Sequence, residues 1–230
     1  MSRRPDDSIE RLLRTVPGRR TPRQLAARLA ADIPDGWFVN IGIGKPTVIT
    51  DVVDPKREIV FHSENGIIGV GRFAEDSTQD DDLINAGKEP VTIVSGAAFV
   101  HHSDSFALIR GGHLDLAVMG AFQVAENGDF ANWNIPGTKI PAIGGAMDLA
   151  IGAKRVWIMM DLFDPDGASK LCERCSYPLT ARGVVTQVYT DLAIFEVSAT
   201  GFIVNELVEG LSLEELQRHV PVKIRLEDCP

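Results

Sequence analysis

The sequence predicts an α/β fold: an open, mainly parallel sheet flanked by helices, with antiparallel additions in the C-terminal third. Three observations carry this expectation. Short apolar, β-branched runs alternate with amphipathic stretches as far as Met160, the pattern of strands covered on both faces. Gly and Asn punctuate the ends of those runs, where the chain must turn. From Val184 onward the apolar runs follow one another across short breaks, one of them Ala199-Thr200-Gly201, which suits hairpins rather than crossovers.

Taken in order, the first element is a helix over Thr21–Ile33. Thr21 suits the N-cap, Pro22 the first helical position, and Gln24 completes a capping box. Leu25, Leu29 and Ile33 then recur at helical spacing. Asp35-Gly36 turns the chain into a strand over Trp37–Ile41, and a short helix over Thr47–Val53 follows Pro46. Further strands are expected at Glu58–His62, Val91–Ser95, Leu114–Met119 and Arg155–Met160, with helices at Ser103–Arg110 and Ala146–Ile151. The hairpin strands are Val184–Tyr189, Leu192–Val197 and Phe202–Leu207. A second capping box, Ser212 with Glu215, opens a final helix to about His219. No repeat or flexible linker divides the chain. Residues 21–230 therefore read as a single domain behind a basic, loosely ordered extension over residues 1–20.

The 230 residues are 44% hydrophobic and 24% charged, which suits a globular chain with a full core. A net charge of −9 argues against nucleic acid as a partner, since neutralising phosphates needs a basic surface. Arg3, Arg4, Arg11, Arg14, Arg19, Arg20, Arg23 and Arg28 crowd the N-terminal end, so the remainder is more acidic than the total. No apolar run approaches the ~20 residues of a membrane span. No apolar region follows the first arginines as in a secretory signal, so the expected compartment is the cytoplasm. Cys172-Glu173-Arg174-Cys175 lacks the second ligand pair of a structural zinc site, and with Cys229 these read as reduced thiols. His101, His102 and His113 have no carboxylate–His frame, so no metal is expected.

The chemistry concentrates at Phe61-His62-Ser63-Glu64-Asn65-Gly66. A strand runs into Asn65-Gly66, a pair that tolerates positive φ, so Glu64 is held at a strand end. A carboxylate there can act as nucleophile, as general base, or as a turn residue bonding local N–H groups. Gly144-Gly145 precedes a helix, so its N–H groups can face an anion; the same pair also suits a plain strand-to-helix turn. Asn40 lies at a strand end, where its amide can orient Glu64 or a substrate carboxylate or simply cap a turn. Lys88 can supply positive charge to an acid or be a solvated surface lysine. Gly42 and Gly44 permit close backbone approach but lack the third glycine of a dinucleotide site. His62 sits two residues before Glu64, placed either to tune it or to pack in the core.

Five blocks recur in register: Asn40-Ile41-Gly42-Ile43-Gly44, Asn85–Glu89, Arg110–Asp115, Gly128–Trp133 and Gly144–Leu149. With Ser63-Glu64-Asn65-Gly66 they closely resemble the B subunit of the family I coenzyme A transferases, from about Thr21 to Val220. The resemblance implies that Glu64 is a covalent nucleophile, with Gly145 (beside Gly144) donating an N–H to the oxyanion. It places Asn40, Gly42, Gly44, Asn65 and Lys88 around the substrate and coenzyme A pocket. It further implies coenzyme A and acyl-CoA as substrates with no permanently bound cofactor. The partner it implies is an A (alpha) subunit, in an α2β2-like assembly. Asp32–Gly36, His101-His102, Gly120–Gln123 and Ser176–Thr180 look most like the branch using 3-oxoadipate with succinyl-CoA; acetoacetate is the near rival. The chain departs from the family at Leu162 and Pro165, where many relatives carry His and Lys, and around Thr138–Ala142. A CoA-ester hydrolase and a catalytically silent binding homologue are the alternative readings.

Overall fold

The computed structural model describes residues 7–75, 77, 79–138 and 143–226. In chain order its elements are α1 (Asp7–Thr15), α2 (Pro22–Asp32), β1 (Phe38–Ile41), a 3-10 turn (Lys45–Val48), α3 (Ile49–Val52), β2 (Val60–Ser63), β3 (Ile67–Phe73), β4 (Val91–Phe99), α4 (His102–Arg110), β5 (Leu116–Met119), β6 (Gln123–Ala125), β7 (Phe130–Ala131), α5 (Ala146–Gly152), β8 (Val156–Met160), β9 (Leu171–Cys172), β10 (Val185–Thr190), β11 (Ala193–Ser198), β12 (Gly201–Leu207), α6 (Leu213–Gln217) and β13 (Ile224–Leu226). They form two compact units, each assembled from separated stretches of sequence, and β8 passes from one into the other after Trp157. The single domain expected over residues 21–230 has no linker because the division follows the fold, not the chain.

The unit containing residues 22–120 and 143–157 has strands in the order β5-β1-β2-β3-β4, with the start of β8 beside β5. Strand β1 is parallel to both neighbours, Val39 pairing with Leu116 on one side and Phe61 on the other. Every residue of β5 is buried, as a central strand covered on both faces requires. Helix α2 buries Leu25, Ala26, Leu29 and Ala30. Antiparallel pairing enters here as well as near the C-terminus: β2 pairs with β3, and β3 with β4. Strand β3 has no counterpart among the strands expected from the sequence, because Gly69 and Gly71 interrupt its apolar run. Both glycines serve close approach. A Cβ on Gly71 would lie 2.5 Å from Thr92 Oγ1, and Gly69 has φ 85 beside a register shift.

The other unit holds residues 7–21, 121–138 and 158–226. Strands β10, β11 and β12 form the expected antiparallel set, and β13 adds in parallel to β12. A smaller sheet has the order β7-β6-β9. Ser212 Oγ accepts from Glu215 N at 3.1 Å, so the cap foreseen for α6 is present. Residues 7–20 correct the expectation of a loose extension. Ile9, Leu12 and Val16 are buried along one face, while Arg19 pairs with Asp191 at 2.8 Å and Arg20 with Glu206. The arginines that dominate this stretch hid an i, i+3, i+7 apolar stripe. Arg3 and Arg4 lie outside the described residues. The divergent Leu162–Pro165 stretch is an ordered turn, with Leu162 N donating to Asp191 Oδ1 and Asp164 Oδ1 accepting from Asp166 N and Ala168 N. Of the Thr138–Ala142 stretch, residues 139–142 lie outside the described residues.

Candidate active site around Glu64

Strand β2 ends at Ser63, which pairs with Ile67, so Glu64, Asn65 and Gly66 form a three-residue turn into β3. Gly66 has φ 114 and donates to Ser63 O at 3.0 Å; a Cβ there would collide with the Val100 carbonyl. Only glycine fits both demands. Two bonds tie a neighbouring loop to this turn: Ala86 N donates to Ser63 Oγ at 2.9 Å and Asn65 Nδ2 to Ile84 O at 2.7 Å.

Glu64 is half-buried, and the Gly145 N–H lies near enough to its carboxyl to favour the ionised form. Gly144, with φ 56, turns the chain so that Gly145 arrives at the start of α5 beside the carboxyl. A Cβ on Gly145 would lie 2.5 Å from Glu64 Oε2 and 2.7 Å from Phe106 Cζ. Burial pushes the Glu64 carboxyl above the usual carboxylate range; the His102 charge opposes this, Asp148 adds to it, and the Gly145 N–H opposes it. His102, Phe106 and Arg110 share one face of α4. The His102 ring lies 4.7 Å from the Phe106 ring, the Arg110 guanidinium 5.4 Å over it, and Arg110 reaches Asp148 at 2.7 Å. Phe106 and Asp148 were not singled out in the sequence, although the i, i+4, i+8 spacing of His102, Phe106 and Arg110 could have marked this face.

Beneath the turn lies a buried polar chain. Asn40 Nδ2 is 2.9 Å from His62 Nδ1 and 3.2 Å from His62 O. His62 Nε2 is 2.9 Å from Ser105 Oγ, which is 2.8 Å from Glu64 O. His62 is completely buried, and burial lowers its pKa to about 4, so the imidazole is neutral at neutral pH. His62 thus packs and hydrogen-bonds rather than touching the Glu64 carboxyl. Ser105 gave no signal in the sequence, since one buried serine on a helix leaves no periodic mark.

The remaining expected residues fall nearby. Gly42 N donates to Val118 O at 2.8 Å, so close as to leave no room for a Cβ. Gly44, at φ 90, accepts from Thr47 N and Thr47 Oγ1 at 3.0 and 2.7 Å. Their loop edges a pocket lined by Ile41, Ile43, Thr47, His62, Ser63, Asn85, Ala86 and Gly87. Glu64 and Gly145 are outside that lining, which reaches the end of β2 at His62 and Ser63. Lys88 is exposed at φ 65 on a turn held by Asn85 Oδ1, which accepts from Gly87 N and Glu89 N at 2.8 and 3.1 Å. The structure thus brings Glu64 and Gly145 together, turns the Asn65 side chain to Ile84 O, links Asn40 to the Glu64 main chain through His62 and Ser105, and leaves Lys88 exposed.

No group of three or more His, Cys, Asp or Glu side chains able to hold a metal occurs among the described residues. Cys172 Sγ and Cys175 Sγ, in the other unit, donate to Val124 O and Asp129 O at 3.5 and 3.7 Å, and the influence of each thiol on the other pushes Cys172 up and Cys175 down. Cys229 lies outside the described residues. No helix among the described residues is long and apolar enough to cross a membrane.

Comparison with known proteins converges on one family. The family profile described as Coenzyme A transferase matches residues 23–218. The chain is 49% identical over 205 residues to the B subunit of the 3-oxoadipate CoA-transferase of Pseudomonas putida, covering 89% of this chain and 96% of that protein. It is equally, 49%, identical over 190 residues to the B subunit of the succinyl-CoA:3-ketoacid coenzyme A transferase of Helicobacter pylori, covering 83% and 91%. Among solved structures, an acyl-CoA transferase (YdiF) of Escherichia coli O157:H7 has the same fold, with a TM-score of 0.70 at 19% identity. The match covers 90% of this chain and 43% of that one.

Proposed function

The chain belongs to the coenzyme A transferase family, and from the arrangement around Glu64 we propose that it is the B subunit of an enzyme moving coenzyme A from succinyl-CoA to a 3-oxo acid through a covalent Glu64 intermediate. The observation that carries this is a half-buried carboxyl set close beside the Gly145 backbone at a glycine-enforced turn. A Glu64 oxygen attacks the thioester carbonyl; the C–S bond breaks, coenzyme A leaves as thiolate, and Glu64 is left joined to the succinyl group as a mixed anhydride. The thiolate then attacks the Glu64 carbonyl carbon. Succinate departs and Glu64 carries the thioester. The acceptor acid reverses both steps.

Two features of the site support that chemistry. Burial withholds water from the carboxylate, so its ionised form is less stabilised than in solvent and readier to attack. Thiolate attack on Glu64 places negative charge on a Glu64 oxygen, where the Gly145 N–H already points, and a donor preset for that charge lowers the barrier. In this reading Gly42 and Gly44 shape the loop that carries Ile41 and Ile43 into the neighbouring pocket, Asn40 supports Glu64 from behind, Asn65 ties the Glu64 turn to Ile84, and the exposed Lys88 offers charge to an incoming acid. The relatives' names fit an acceptor of the 3-oxo acid class. The motifs at Asp32–Gly36 and Ser176–Thr180 favour 3-oxoadipate, with acetoacetate as the alternative. Both relatives are B subunits, so an A-type subunit is the expected partner, in an α2β2 assembly in the cytoplasm.

The kinetic test is direct. With the A-type subunit present, labelled succinate should exchange into succinyl-CoA without any acceptor, and initial rates should follow a ping-pong pattern. Sequential kinetics without exchange would overturn the covalent reading. Rapid release of free coenzyme A without an acceptor would make the protein a hydrolase instead.

A further inference from the structure

The buried chain behind Glu64 has only one consistent direction. Asn40 Nδ2 faces both the His62 carbonyl, at 3.2 Å, and His62 Nδ1, at 2.9 Å. A carbonyl can only accept, so that end of the amide must be the donor and His62 Nδ1 must also accept. A neutral imidazole has one proton, which then sits on Nε2 and is donated to Ser105 Oγ. The Ser105 hydroxyl proton goes to the Glu64 carbonyl at 2.8 Å, which again can only accept. We propose that Asn40, His62 and Ser105 form a one-way hydrogen-bond relay that fixes the main chain at Glu64, making His62 and Ser105 positioning residues for its carboxyl.

The cost of this arrangement argues for its use. Asn40, His62 and Ser105 are each at most 1% exposed, and apolar residues could fill the same seam without a polar atom to satisfy. The relay also ends at a sensitive point. Glu64 lies in a three-residue turn, whose peptide planes can rotate unless held, and the Ser105 bond holds the Glu64–Asn65 plane from α4. The next residue of α4, Phe106, packs at Gly145. One helix therefore sets both the main chain of the carboxyl-bearing residue and the surroundings of the N–H it meets. Misplacing a reacting group by about 1 Å costs on the order of a hundredfold in rate.

This proposal rests on Glu64 being the nucleophile, and the experiment separates the two. Ser105→Thr and Ser105→Val add the same bulk and differ in the hydroxyl. They are compared with Ser105→Ala and Glu64→Gln, each in complex with the A-type subunit. The relay predicts that Val and Ala lower kcat by about 10- to 100-fold while KM for succinyl-CoA stays within about twofold, and that Thr keeps most of kcat. Equal kcat for Thr and Val, with Glu64→Gln inactive, overturns the relay and leaves the nucleophile standing. Transfer by Glu64→Gln overturns the nucleophile and the relay's purpose together. Should the Ser105 variants not fold, the wild-type complex still decides the bond direction: at pH 7 the nitrogen NMR signals of His62 should show the neutral Nε2–H tautomer. An Nδ1–H tautomer or an imidazolium contradicts the relay.

Discussion

Gly145→Ala tests the geometry of the site without disturbing the backbone. Gly145 has φ −84 and ψ 5, a conformation open to alanine, so the substitution introduces no main-chain strain. Its effect comes from the new methyl, 2.5 Å from Glu64 Oε2 and 2.7 Å from Phe106 Cζ. Favourable contacts between such atoms begin near ~3.5 Å, so the carboxyl must retreat by roughly 1 Å. Phe106 can tilt, but it is wedged between the His102 ring and the Arg110 guanidinium, so Glu64 takes most of the displacement. A shift of that size predicts a loss of about a hundredfold in kcat, or roughly 2.7 kcal/mol of barrier. Stability should change little, because the methyl meets a half-exposed side chain rather than a packed core. The assay is steady-state transfer by the complex together with a thermal melt. Activity within about threefold of wild type, in a folded complex, would refute the claim that Gly145 and the Glu64 carboxyl work in contact.

Two further outcomes follow from the same structure. Glu64→Gln should raise the melting temperature of the unliganded protein at pH 8 but not near pH 4. The folded chain holds the Glu64 proton to higher pH than the unfolded chain, so stability falls as pH rises from about 4.3 through the raised folded pKa, and glutamine removes that loss. An equal gain at both pH values would point to a packing effect instead. In the other unit, Arg19→Ala leaves the Asp191 carboxylate, whose side chain is 4% exposed, bonded to Leu162 N but without the Arg19 cation. Because Arg19 is itself 39% exposed, the cost should fall below the usual buried-pair range, at about 2 kcal/mol. A melt should then drop by about 4–8 °C, and an unchanged melting temperature would mean that the pair is solvated.

Which features could be read from the sequence follows from what each feature costs locally. Helix α2 and strands β1, β5 and β8 were legible because their apolar spacing is uninterrupted. Strand β3 was not, since the glycines that let it approach β4 erase the pattern that marks a strand. Helix α1 escaped notice because arginines crowd the three buried apolar residues of this stretch. At the site, Glu64 stood out through the Asn65-Gly66 turn, and Gly145 through its glycine pair, both backbone demands written in residue type. Ser105 reaches the site through the packing of α4, which no local spacing encodes, whereas Phe106 lies on the face that the spacing of His102, Phe106 and Arg110 could have marked. The division into two units was hidden for a similar reason: each unit gathers stretches far apart in sequence.

The most direct measurement is the mass of the peptide carrying Glu64 after the complex with the A-type subunit meets succinyl-CoA. The account predicts a coenzyme A adduct on Glu64 that disappears when 3-oxoadipate is added and never forms in Glu64→Gln. A complex that binds coenzyme A and turns over, yet carries no adduct on Glu64, would contradict it.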